Sequence, residues 1–231
     1  MIALEIKNIN KIYGTKIKTQ VLFDVNLSIE EGEFISIIGQ SGSGKSTLLN
    51  IIGTLDTPTT GDVIINGINI NNMSQNHLAK VRNEQLGFIF QFHYLLPEFT
   101  VMENVLMPYM LSGKKMTNEI RQRAEELLDI VGLSNVKNNK ATDLSGGQQQ
   151  RTAVARALIN NPKIILADEP TGNLDSNTTD EVYALLRDIN KKFNTTFLII
   201  THDNRIANKA DRIIEVTDGV IAQNIAQYKA S

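Results

Sequence analysis

Residues 39–47, GQSGSGKST, decide the reading of the chain, because Gly39, Gly44, Lys45 and Ser46 meet the pattern G-x-x-x-x-G-K-[ST] without a mismatch. The glycines let the backbone curl so that successive N–H groups converge on phosphate oxygens. Lys45 then reaches the outer phosphates, and Ser46 offers its hydroxyl to Mg²⁺. ATP and Mg²⁺ are therefore the expected cofactors, with Gly39, Gln40, Ser41, Gly42, Ser43, Gly44, Lys45, Ser46 and Thr47 as candidate contacts. A glycine-rich turn alone would not need its context. Here the apolar, β-branched run FISIIG (34–39) precedes the loop and the helix-compatible KSTLLNIIG (45–53) follows it, the strand, loop and helix that phosphate binding requires.

The rest of the composition is that of a globular chain: 231 residues, 42% hydrophobic, net charge −2 and no cysteine. That is enough to bury one sizeable core. Without a Lys/Arg block the chain is a poor candidate for nucleic-acid binding. No apolar run approaches the roughly 18 residues of a membrane span, and MIALEIKNINK lacks the basic and apolar regions of a signal peptide, so a cytoplasmic location is expected. The lack of cysteine excludes disulfides and thiolate chemistry.

Before the loop, ALEIKNI and VLFDVNLSIE read as strands, with Phe23, Val25, Leu27 and Ile29 alternating onto one buried face. After it, DVII and INI flank Asn66-Gly67, a type I′ hairpin dipeptide. Tyr13 sits where an aromatic ring can stack on a base, although taken alone a surface tyrosine beside a turn is the simpler reading.

From 93 to 160 the period becomes helical. Thr100 and Glu103 form a capping box and Pro108 is expected to interrupt the helix that follows. Thr117 opens another, whose Ile120, Ala124, Leu127, Leu128 and Val131 share a face before Gly132 stops it. Met102, Met107, Met110 and Met116 fall here, either as core filling or as an adaptable surface between 92 and 116 that receives a partner helix.

Strand and helix then alternate again through PKIILADE (162–169), a helix near 176–192 and TTFLIITH (195–202). Apolar strands thus end at the phosphate loop, Gln91, Asp168-Glu169 and His202. In an open parallel sheet, ligands bind beyond those carboxyl ends. Phosphoryl transfer gives every one of these residues work to do. Asp168 and Ser46 suit the metal, Glu169 the attacking water, His202 the terminal phosphate, and Gln91 the metal shell. LSGGQQQR (144–151) opens one more helix, where Ser145 and the glycines make either a second anion site or simply a good N-terminus.

LSGGQQQR ahead of IILADEP, followed by NLD and His202, resembles the ATP-binding subunit of ABC transporters over the whole chain. The resemblance implies an α/β fold: a P-loop NTPase (RecA-like) core with a parallel sheet, an antiparallel β subdomain and an inserted α-helical subdomain. Residues 1–92 and 161–231 would form the core and β lobe, and 93–160 the helical subdomain. It further implies an ATPase that works as a homodimer sandwiching ATP. Ser145, Gly146, Gly147 and Gln148 would complete the partner's site, Asp175 would lie at the seam, Tyr13 would stack on adenine, and Glu169 would be the catalytic base beside Lys45, Gln91 and His202. TGNLDS (171–176) and QFHYLLPEFTVMENV (91–105) are similar to the branch containing macrolide exporters and lipoprotein-releasing ATPases. This predicts a subunit on the cytoplasmic face of the inner membrane that powers a separate integral permease. A regulatory ATPase of the cell-division type is the alternative. A soluble cassette acting on DNA or ribosomes is disfavoured, because the chain has one cassette and no heptads.

Overall fold

The computed structural model describes residues 1–227. Along the chain, β1 (Ile2–Tyr13), β2 (Thr19–Glu30) and β3 (Phe34–Ile38) lead into α1 (Lys45–Ile52). The hairpin β4 (Thr60–Ile65) and β5 (Ile68–Asn69) follows, then α2 (Gln75–Gln85) and β6 (Leu86–Phe90). Three helices, α3 (Val101–Leu111), α4 (Asn118–Ile130) and α5 (Gly146–Leu158), precede the return to alternation. That return comprises β7 (Ile164–Asp168), α6 (Ser176–Phe193), β8 (Thr196–Ile200), α7 (Asn204–Ala207), β9 (Arg212–Thr217) and β10 (Val220–Ala226). No helix among the described residues is long and apolar enough to cross a membrane.

The strands sort into two sheets according to how they are patterned. The two long strands β1 and β2, with the shorter β4 and β5, form an antiparallel sheet in the order β2-β1-β4-β5. The short, largely apolar strands β3, β6, β7 and β8 form the second sheet with the more polar β9 and β10, in the order β10-β9-β3-β8-β7-β6, in which β6, β7, β8, β3 and β9 run parallel and β10 closes the edge antiparallel. Strands buried on both faces have no polar side to alternate, hence their unbroken apolar runs. Their side chains nevertheless divide by parity. Phe34, Ile165, Ala167, Phe197 and Ile199 join one core with α3, α4, α5 and α6. Ile35, Ile37, Ile164, Leu166, Leu198 and Ile200 join another with α1 and the antiparallel sheet.

Several expectations hold. Asn66 and Gly67 have φ of 48° and 77°, as a type I′ turn demands. The Thr100–Glu103 capping box forms, and Gly132 takes φ 71° after α4. Others are corrected. Phe23 is exposed while Leu22 is buried, because β2 carries an extra residue between the Val25–Ile9 and Leu22–Lys11 pairs, with Asp24 at φ 42°. Such a bulge reverses the inside–outside parity beyond it. Pro108 does not interrupt α3, which continues to Leu111 with Val101, Val105 and Leu106 buried. The helix α2 has no counterpart in the sequence pattern: Leu78 is its one buried residue, so it shows no apolar stripe.

Candidate active site

The loop of residues 39–47 leaves β3 and enters α1, and its shape depends on two glycines. A Cβ on Gly39 (φ 146°) would lie 2.1 Å from the Val216 carbonyl oxygen, and one on Gly44 (φ 102°) would lie 2.9 Å from Leu22 Cδ2. The loop is thus wedged between β9 and β2, and Gly219 N–H fastens it by donating to the Ser43 carbonyl at 3.0 Å. Lys45 Nζ reaches back to the carbonyls of Gly39 (2.8 Å) and Gln40 (2.7 Å) and so spans the loop. The first-turn N–H groups of α1 have no partner within the helix and point out of its positive end.

The next tips along the sheet bring acids to this loop. Asp168 ends β7, near enough to Ser46 and Lys45 for both to act on its carboxyl. Burial, then the neighbouring Glu169 charge, pushes the Asp168 carboxyl above its ordinary value, against the pull of Ser46 and Lys45. Glu169 sits at φ 48°, a left-handed conformation that costs a non-glycine residue about 1–3 kcal/mol. Its Oε2 lies 2.8 Å from Nδ1 of His202, which follows β8. The carboxylate is 20% exposed and the imidazole 73%, so the acid is recessed and the ring faces outward. Asp175 N-caps α6. Its Oδ1 accepts the N–H groups of Asn177 (3.0 Å) and Thr178 (3.1 Å) at the start of α6.

Gln91, just past β6, turns its amide to Asn173, with Nε2 3.2 Å from Asn173 Oδ1, while Asn173 Nδ2 donates to the Gln91 carbonyl at 3.3 Å. It therefore joins the loop after Glu169 rather than Ser46 or Asp168. Asn173 lies within TGNLDS (171–176), but an asparagine in a turn gives no separate signal of this contact. Ser145 N-caps α5, and Gln148 returns the contact by accepting the Ser145 N–H at 3.0 Å. A Cβ on Gly147 would lie 2.8 Å from Thr178 Cγ2, so α5 and α6 meet closely at this end. No hydrogen bond among the described residues links Ser145, Gly146, Gly147 or Gln148 to the phosphate loop of the same chain. Tyr13 ends β1 as a residue 41% exposed, its hydroxyl 2.6 Å from Asp56 Oδ2.

Residues 22–172 match the family described as ABC transporter. The chain belongs to the ABC transporter family. Among curated ABC relatives, the lipoprotein-releasing system ATP-binding protein LolD 1 of Rhodopseudomonas palustris is 49% identical over 95% of this chain and 98% of its own length. Two solved structures of the cassette MJ0796 are 44% identical, each covering 98% of this chain and all of that chain at a TM-score of 0.88. One is a dimer, and the other is a dimeric post-hydrolysis state bound to ADP and Pi. The structure of cbiO1 from Clostridium perfringens, part of the ABC transporter complex cbiONQ, is 29% identical, covers 96% of this chain and 88% of that one, and has a TM-score of 0.87.

Two further features of this ABC cassette lie beyond Gln91. His93 and Tyr94 have consecutive left-handed backbones, φ 39° and 46°, and Arg156 of α5 donates to both carbonyls at 2.6 Å. The same Arg156 and Tyr94 line an apolar groove of about 520 Å³ with Phe88, Phe90, Pro108 and Leu111. The methionines do not line this groove. Met102 and Met116 pack against the core, in keeping with core filling, while Met110 is 51% exposed. Arg156 escapes sequence reasoning because a basic residue in a last helical turn is already explained by the helix dipole.

Proposed function

We propose that this chain is the ATP-hydrolysing subunit of an export system, bound as a homodimer to the cytoplasmic face of a separately encoded inner-membrane permease that releases lipoproteins or closely related cargo. The observation that carries the proposal is the Glu169–His202 pair at the strand tip beside Asp168, next to the loop that Lys45 spans. The 49% identity to a lipoprotein-releasing ATPase supports this branch over the cell-division alternative.

The donor set fits ATP with Mg²⁺. The Ser46 hydroxyl and Asp168 carboxylate are hard oxygen ligands, and no group of three or more His, Cys, Asp or Glu among the described residues forms a cage. A cation held by two protein oxygens takes the rest of its shell from phosphate and water, which suits Mg²⁺. When bound, it neutralises phosphate charge and aligns the terminal phosphoryl group. Lys45 and the first-turn amides of α1 take the phosphates. Glu169 accepts the proton of the attacking water, and His202, its Nδ1 committed to Glu169, fixes that carboxylate and turns Nε2 to the phosphate. Tyr13 stacks on the adenine.

Ser145, Gly146, Gly147 and Gln148 serve the site of a second copy, with Asp175 at the seam. Ser145, Gly146 and Asp175 are exposed here, and the dimeric MJ0796 structures offer the precedent. We treat 93–160 as the helical unit that moves with the permease, Gln91 joining the metal shell when nucleotide is present, and the apolar groove beside Leu111 as the permease contact. The test is Mg²⁺-dependent ATP hydrolysis by the chain with its membrane partner. Lys45→Ala should lower turnover by about 10²–10³, as removal of one aimed charge stabiliser does. Wild-type turnover in that variant overturns the proposal.

A further inference from the structure

Tyr13 is held at two points by residues outside the phosphate loop. Its hydroxyl donates to Asp56 Oδ2 at 2.6 Å, and Asp56 Oδ1 accepts Lys11 Nζ at 2.6 Å. Lys11 also donates to the Thr57 carbonyl at 2.7 Å, and its ammonium stands 4.6 Å from the Tyr13 ring centroid, over one face. Lysine is seldom buried, yet Lys11 is only 8% exposed, with Asp56 as its ion-pair partner. Asp56 lies just past α1, and its N–H donates to the Asn50 carbonyl of that helix. The ring is therefore keyed to the same helix whose first turn faces the phosphates.

This arrangement has a steric result. With the ammonium against one face and the hydroxyl tethered, a single face of Tyr13 is left for a flat partner. We infer that Lys11 and Asp56 are positioning residues for base recognition: they fix the Tyr13 ring with one face open, so that the chain holds a purine nucleotide more tightly than the bare phosphate chain. The inference rests on nucleotide binding at the phosphate loop. The plain alternative is a strut joining β1 to the end of α1, which would affect stability without regard to the base.

The two readings separate in binding measurements with a ligand that has a base and one that lacks it. Calorimetric titration of the purified chain with Mg²⁺-ADP and with Mg²⁺-pyrophosphate uses neither hydrolysis nor the permease. Base–aromatic stacking is worth about 1–3 kcal/mol. Asp56→Ala should therefore weaken ADP by roughly tenfold and leave pyrophosphate unchanged, and in a Tyr13→Ala background it should have no further effect. Lys11→Met keeps the bulk of the side chain and should show the same split, so it carries the test if Asp56→Ala no longer holds pyrophosphate. Equal losses for both ligands in Lys11→Met, an additive double variant, or unchanged ADP affinity overturns the inference while leaving the function intact. A wild-type chain that binds neither ligand overturns both.

Discussion

Replacing Arg156 with leucine removes both hydrogen bonds on the His93–Tyr94 turn, and the geometry sets the size of the loss. Each bond is 2.6 Å long and comes from a cationic donor, for which a net contribution of about 1.5–3 kcal/mol is typical. Two such bonds give roughly 3–6 kcal/mol. Three effects reduce this. Tyr94 is exposed, so water can take over its carbonyl. Burial pushes the Arg156 guanidinium below its ordinary pKa, and that desolvation is recovered when the charge goes. The loop can also relax from its two left-handed residues, releasing about 1 kcal/mol each. A destabilisation of about 2–4 kcal/mol is expected, with Arg156→Lys recovering about half, because an ammonium lacks the planar fork that serves two carbonyls at once. Urea unfolding of the nucleotide-free chain, followed by far-UV circular dichroism and tyrosine fluorescence, measures it. A change below about 0.5 kcal/mol, the level of an ordinary surface substitution, would refute the clamp, as would equal costs for lysine and leucine.

Glu169→Gln should keep ATP affinity but slow hydrolysis by about 10²–10⁴, since an amide cannot accept a proton from water. Size exclusion with ATP and Mg²⁺ should then find a stable dimer; a monomer that hydrolyses at the wild-type rate contradicts the base role. Asp168→Asn should stabilise the nucleotide-free chain at neutral pH. A carboxyl whose folded pKa is raised loses stability as pH climbs from the ordinary carboxylate range through the raised value, and an amide does not titrate. Melting curves should therefore diverge above that window and converge below it. Leu111→Glu, on the rim of the groove and 75% exposed, should leave basal turnover unchanged and abolish stimulation by the permease. Retained stimulation would move the docking site elsewhere.

What can be read from the sequence is whatever a local pattern carries. The strand tips at the loop, Gln91, Asp168 and His202 are legible because each short apolar run stops at a polar residue, and parallel strands stop on one side. The hairpin at Asn66-Gly67 and the cap at Thr100 are legible because their dihedral and hydrogen-bond demands are met within four residues. Contacts across the chain are not. Nothing at Lys11 points to Asp56, 45 positions away, and nothing in the last turn of α5 announces the carbonyls of His93 and Tyr94. The bulge at Asp24 defeats simple alternation, which puts Phe23 on the wrong face. The helix α2 is hidden by its polarity, and β9 and β10 lie past the last motif that carries a reading.

The parity of the five-residue strands makes the parallel sheet a partition wall. Phe34, Ala167 and Ile199 belong to the compartment of α3, α4, α5 and α6, whereas Ile35, Leu166 and Ile200, their immediate neighbours in sequence, belong to the compartment of α1 and its loop. Neither compartment shares its close-packed side chains with the other, so each can be repacked alone. Substitutions well separated on opposite sides of the wall and sharing no partner should add in stability, while pairs in contact within one compartment should couple. An engineer can thus soften the helical side and leave the packing beneath the phosphate loop as rigid as before.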